Sequence, residues 1–132
     1  LMQRKIVGSG STLPDGTLNP ISPAVRAGDL VFFSGIMPKG SDGTMISGDI
    51  RDQTKVVMGR LAQGLQEAEC SFDDVVKCMV WLTHAEDFKA FNDVYAKYFS
   101  GGPPARSAVR SDLLLPGARL ELEAICYKPI SP

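Results

Sequence analysis

Histidine is almost absent from this sequence, which has His84 alone, and a metal site built from several imidazoles is thereby excluded. Cysteine is sparse: Cys70, Cys78 and Cys126 are odd in number, form no close pair and match no zinc spacing, so no disulfide framework is expected. Neither sign of charge is in excess. With 14 basic and 15 acidic residues the net charge is -1, too little to hold a phosphate backbone by counterion release, and no nucleic-acid partner is expected. No apolar run approaches the ~20 residues of a membrane helix. No charged segment followed by an apolar one opens the chain, so the expected compartment is the reducing cytoplasm. Leu1 ahead of Met2 is set aside.

What is present asks for one packed core. The 132 residues suit a single domain, and 44% hydrophobic against 22% charged residues is ordinary globular composition. Residues 30–36, rich in branched and aromatic side chains, read as a strand apolar on both faces. Asp42-Gly43 marks a turn. From Asp49, the expected N-cap, to about Ala68, the positions Ile50, Val57, Met58, Leu61, Leu65 and Ala68 recur near a 3.6 period and predict an amphipathic helix. Residues 74–83 alternate, with Val76, Cys78, Val80 and Leu82 on one strand face and Lys77, Met79 and Trp81 on the other. Thr83-His84-Ala85-Glu86 has capping-box spacing, and Phe88, Phe91, Tyr95, Tyr98 and Phe99 form an aromatic stripe that predicts a second helix ending before Gly101. Strands over 106–110 and 119–127 flank a loop with Pro116-Gly117.

This order implies an α+β fold: a single domain, 1–132, with a mixed β-sheet and two helices on one face. The uncovered face keeps alternate residues of the 30–36 strand plus Met79 and Trp81, more apolar surface than a monomer usually exposes, and predicts a symmetric oligomer.

Chemistry concentrates at the end of the chain. Leu120, Leu122, Ala124 and Cys126 belong to the core by parity, leaving Glu121, Glu123, Ile125 and Tyr127 on the other face. Two glutamates on one face need cations or water between them, and Arg106 and Arg110 have the matching alternate spacing. A register that pairs Arg106 with either glutamate puts all four on one face. One reading is a salt-bridged sheet surface; the other is an arginine fork for a carboxylate beside a glutamate that activates water. Elsewhere, His84 reads as a solvated loop residue, Cys78 and Cys126 as small buried hydrophobes, and the aromatic stripe as core. Gly8-Ser9-Gly10-Ser11 lacks the Gly-Lys-Ser/Thr of a phosphate loop and reads as part of an N-terminal strand and loop, 1–18.

Pro104-Ala105-Arg106-Ser107, the run Leu120-Glu121-Leu122-Glu123-Ala124-Ile125, Phe33-Ser34-Gly35, Asp74-Val75-Val76-Lys77, and Asp87-Phe88 with Asn92 and Tyr95 occur in one consistent order. On these motifs the chain, over residues 19–128, resembles the reactive intermediate deaminase (Rid, YjgF-like, endoribonuclease L-PSP) family. The resemblance implies a chorismate-mutase-like homotrimer with sites between subunits, a small carboxylated metabolite as partner, and no cofactor or metal. The implied activity is hydrolysis of a reactive enamine or imine to a keto acid and ammonia. Arg106 would hold the substrate carboxylate, Glu121 would place the water, and Ser34, Gly35 and Ala108 would line the pocket. Three positions depart from the pattern: Ile21 stands where deaminases commonly carry tyrosine, Ile36 where many have glutamine, and Ala108 where cysteine is common. These departures favour an altered substrate choice, or a trimer that binds keto acids without turnover. The ribonuclease label of some relatives conflicts with the near-neutral charge.

Overall fold

The computed structural model describes residues 4–130; residues 1–3, with the start of the expected N-terminal strand, and residues 131–132 of the expected domain lie outside the described residues. Six strands form one sheet: β1 (Arg4–Val7), β2 (Ala24–Ala27), β3 (Leu30–Phe33), β4 (Val75–Leu82), β5 (Ala105–Arg110) and β6 (Leu120–Tyr127). Their order is β1-β2-β3-β6-β4-β5, antiparallel except for β4 and β5. The parallel pair needs a crossover, supplied by helix α2 (Phe88–Tyr95).

Helix α1 (Ile50–Glu67) starts where the sequence places it. Asp49 Oδ1 accepts from the Asp52 amide at 3.0 Å, and the Asp49 amide donates to Asp52 Oδ2 at 3.2 Å, closing a capping box. Its apolar stripe, Ile50, Val57, Met58, Leu61, Leu65 and then Ala68, is buried in one cluster with Val31 and Phe33 of β3 and with Leu120, Leu122 and Ala124 of β6. Each fully buried Leu or Val contributes on the order of 1.5–3 kcal/mol. Gly64 allows the close approach, since a Cβ there would meet the Phe33 ring at 3.1 Å. Buried Phe91, Tyr95 and Phe99 dock α2 and the 3-10 turn after it on the same sheet face.

Three local expectations are corrected. The 30–36 strand ends at Phe33: the Ser34 amide donates to Pro23 O at 3.0 Å, but Pro23 has no N–H to return the bond, and the ladder with β2 stops there. Val76 is 44% exposed and Val75 takes its place in the core, because a bulge between Val75 and Lys77 shifts the pairing with β6. The capping box at Thr83 does not form: residues 85–87 make a 3-10 turn, and the Thr83 hydroxyl lies 2.7 Å from His84 Nδ1. The other sheet face carries no helix, leaving Leu30 37%, Phe32 42% and Val109 44% exposed in the single subunit.

Candidate functional site

The arrangement of the last two strands overturns the expected arginine–glutamate cluster. β5 pairs with β4, not with β6, and its register sets Arg106 beside Cys78 and Arg110 beside Leu82, on the helix-covered face. Glu121 lies beside Trp81, and Glu123 beside Met79, on the opposite face. With β4 interposed, β5 and β6 are two strand spacings apart, roughly 10 Å. One small molecule within a single subunit cannot bridge Arg106 and Glu121 across both separations.

Glu121 instead belongs to a cleft beside β3. Phe32 pairs with Ile125, and the next pair is Ile36 with Leu122, so Phe33, Ser34 and Gly35 oppose only Glu123 and Ala124. That one extra residue is a bulge, a device that re-aims the chain next to sites. Ile36 closes it by donating to Leu122 O at 2.8 Å and accepting from the Leu122 amide at 3.1 Å. The Ser34 hydroxyl donates to Ser22 O at 2.6 Å and ties the bulge to the segment before β2. A Cβ on residue 35 would overlap the Glu121 carboxylate, so the glycine makes room for that group. The cleft measures about 580 Å³ and gathers Ile21, Ser34, Gly35, Ile36 and Glu121 with Leu13, Met37, Lys39, Arg60 and Leu114.

Burial, and secondarily the charge of Glu123, pushes the Glu121 carboxyl above its ordinary value of 4.5. Among the described residues no side chain hydrogen-bonds or ion-pairs with it. A half-buried carboxylate free of partners can take a proton from water. The approach to its strand is clamped by buried Gln53 of α1, whose amide accepts from the Arg119 N–H at 2.8 Å and donates to Gly117 O at 3.0 Å. Arg119 Nε in turn donates to Asp87 Oδ2 at 2.7 Å, joining β6 to the start of α2.

Arg106 sits in a different environment. Its Nη1 donates to Asn92 Oδ1 at 2.8 Å, and its Cζ lies 4.9 Å from the Tyr95 ring centroid, 5.4 Å from Phe88 and 5.6 Å from Phe91. Cation–π attraction and one charge-assisted bond hold it along the outer edge strand. Ala108, two residues on, is exposed on the same strand. The structure thus unites Ile21, Ser34, Gly35, Ile36 and Glu121, and leaves Arg106 and Ala108 outside their cleft. Sequence reasoning missed Asn92 and Phe88 as partners of Arg106, although their helical i, i+4 spacing puts them on one face of α2. It also missed Arg60 and Lys39, whose arrival at the cleft depends on tertiary packing. Among the described residues no three His, Cys, Asp or Glu side chains cluster as a metal site.

A mixed sheet backed by two helices, with a half-buried carboxylate in a cleft beside β3, defines a small single-domain α+β protein. Residues 14–128 match the family model described as Endoribonuclease L-PSP. The chain belongs to that family, whose members are also called RutC, YjgF or Rid proteins. It is 39% identical over 112 residues to a RutC family protein of Pyrococcus abyssi, covering 84% of this chain and 88% of the relative. It is 34% identical over 114 residues to human 2-iminobutanoate/2-iminopropanoate deaminase, covering 86% and 83%. Among solved structures, Escherichia coli TdcF with bound serine superposes with a TM-score of 0.82 at 28% identity, covering 94% of this chain and 98% of that one. No helix among the described residues is long and apolar enough to cross a membrane.

Proposed function

We propose that the protein is a cofactor-free deaminase that hydrolyses a small enamine or imine carboxylate to a keto acid and ammonia, in a homotrimer with sites between subunits. The observation that carries this reading is the separation itself: a half-buried carboxylate, Glu121, in one cleft and a guanidinium, Arg106, outside it on an edge strand. A neighbouring subunit packed against the bare sheet face would bring its edge strand, with Arg106 and Ala108, to the cleft. Relatives named as imine deaminases at comparable identity support the reaction class.

In this mechanism Arg106 holds the substrate carboxylate bidentately and places the imine carbon over the Gly35–Glu121 contact. Glu121, ionised, takes a proton from water as the water oxygen bonds to the imine carbon. The C=N π pair moves to nitrogen, which takes that proton from Glu121; the hydroxyl of the resulting carbinolamine then gives its own proton to Glu121 as its oxygen forms the C=O bond, the C–N bond breaks, and this second proton passes to the departing nitrogen, so that keto acid and ammonia leave. The imine carbon is already electrophilic, so orientation supplies most of what the protein must add.

Stopped-flow loss of enzymatically generated 2-iminopropanoate tests the proposal. Arg106→Ala is expected to lower kcat/KM by roughly 10² or more, the loss of two charge-assisted hydrogen bonds. Equal rates for the two proteins would sink the assignment. Ile21 and Ile36 favour a second reading, because they give the cleft an apolar wall where a proton donor could stand: a trimer that binds keto acids without turnover. Calorimetric binding of 2-oxobutyrate with no imine consumption would select it.

A further inference from the structure

The cleft contains cations that the mechanism does not use. Arg60 projects from the exposed side of α1 toward the loop after β3, and its Nη1 donates to Met37 O at 2.8 Å. That bond occupies one of five guanidinium N–H groups. Arg60 and Lys39 line both the Glu121 cleft and an adjoining groove that also contains Ser11, Asn19 and Gln63. Neither cation has an ion-pair partner among the described residues; the four ion pairs involve Arg51, Lys89, Arg119 and Lys128.

The acids along these walls are otherwise placed. Asp42, in the groove, accepts from the Thr44 amide at 2.9 Å and hydroxyl at 2.7 Å. Glu67 and Glu121 line the cleft but lie beyond 4.0 Å from either cation. Partial burial of the guanidinium lowers the Arg60 pKa from its ordinary value, while the side chain as a whole stays exposed at the mouth of the cleft. A cation with no counter-charge from the protein can be offset by an anion from solution, and both Arg60 and Lys39 line the cleft where one would enter.

Position fixes what the offset can be. Met37 is two residues past Gly35, so covalent geometry keeps the Arg60 Nη1 within roughly 12 Å of Gly35. We infer that Arg60 and Lys39 form a subsite for a second carboxylate, so that the cleft takes dicarboxylic 2-imino or 2-oxo acids in preference to monocarboxylic ones. The inference deepens the proposed function and rests on it for the placement of the first carboxylate at Arg106. Ile21 and Ile36 line the cleft together with Arg60 and Lys39 and would give the carbon chain an apolar wall.

The test is isothermal titration of the full-length protein with 2-oxobutyrate and with 2-oxoglutarate, repeated for Arg60→Gln, Lys39→Gln and Arg106→Ala. The expected result is about tenfold or greater preference for 2-oxoglutarate, the worth of one charge-assisted contact. Arg60→Gln and Lys39→Gln are each expected to erase most of that preference while 2-oxobutyrate binds as before. Unchanged 2-oxobutyrate affinity also reports that each variant is folded; Lys39→Gln, on a loop, stands if Arg60→Gln does not fold. Equal affinity of the parent for both ligands overturns the inference, as does a loss shared equally by both ligands in Arg60→Gln and Lys39→Gln. The proposed function is judged separately, by whether Arg106→Ala weakens 2-oxobutyrate.

Discussion

The β3 bulge and the β5 edge are two ways of readying a charged side chain. At the bulge, the fold removes water and partners from Glu121 and leaves its carboxyl raised and unbonded. At the edge, Arg106 is held by Asn92 and three aromatic rings on α2. The first arrangement suits a group that must change protonation state, because desolvation brings its pKa toward the working range. The second suits a permanent charge that must only point one way, because stacking fixes the guanidinium plane without neutralising it. A reaction that needs a mobile proton and a fixed carboxylate calls for both, on surfaces that a neighbouring subunit can unite.

The largest effect expected at the bulge comes from Glu121→Gln. It keeps the size of the side chain and removes the base, so kcat is expected to fall roughly 10²–10⁴-fold. If Glu121 is the base, the rate of the parent is expected to rise with pH as Glu121 ionises through its raised pKa, and that limb is expected to be absent from the variant. Stability moves the other way. The folded protein holds the Glu121 proton more tightly than the unfolded chain, so this contribution is fully present below the ordinary value of 4.5 and is lost as pH rises through the folded value. Glu121→Gln removes that loss and is expected to melt no lower than the parent at pH 7 by thermal circular dichroism. A pH–rate profile that keeps its acid limb in the variant rejects Glu121 as the base.

These two regions also differ in how far the sequence reveals them. Parity alone separates Glu121 and Glu123 from the core residues Leu120, Leu122, Ala124 and Cys126, and periodicity places α1 with its Asp49 cap. Both are local signals with short repeats. The partner of β5 is not local: an arginine spacing that fits β6 fits β4 equally well, and the parallel crossover through α2 decides between them. The bulge at Val75–Lys77 is similarly hidden, because one inserted residue shifts parity without changing composition. The mixed sheet, the two helices on one face and the bare opposite face follow from element order; the side of the sheet on which Arg106 lies does not.

Gly35→Ala separates the regions from the other direction. Its Cβ would intrude on the Glu121 carboxylate and nothing at Arg106, which lies on the far face. A base displaced by even a fraction of an ångström loses alignment, and kcat/KM is expected to fall roughly 10–10²-fold. The group it meets is the end of a flexible side chain at an open cleft, so thermal stability is expected to change by less than about 1 kcal/mol. Activity equal to the parent would mean that the contact between Gly35 and Glu121 does not set the position of the base.

Asn92→Ala is the mildest change and the finest probe of the edge. It removes the one side-chain hydrogen-bond acceptor of Arg106 among the described residues but leaves Tyr95, Phe88 and Phe91 around the guanidinium. A charge-assisted bond of this kind is worth about 1.5 kcal/mol at the lower end, or roughly tenfold in affinity if it serves only to fix the fork. The cation–π contacts retain part of that order, so the expected rise in KM is only about three- to tenfold, with kcat unchanged because Glu121 is untouched. A fall in kcat at constant KM would instead tie Asn92 to the reacting atoms, and the edge strand would then do more than hold a carboxylate.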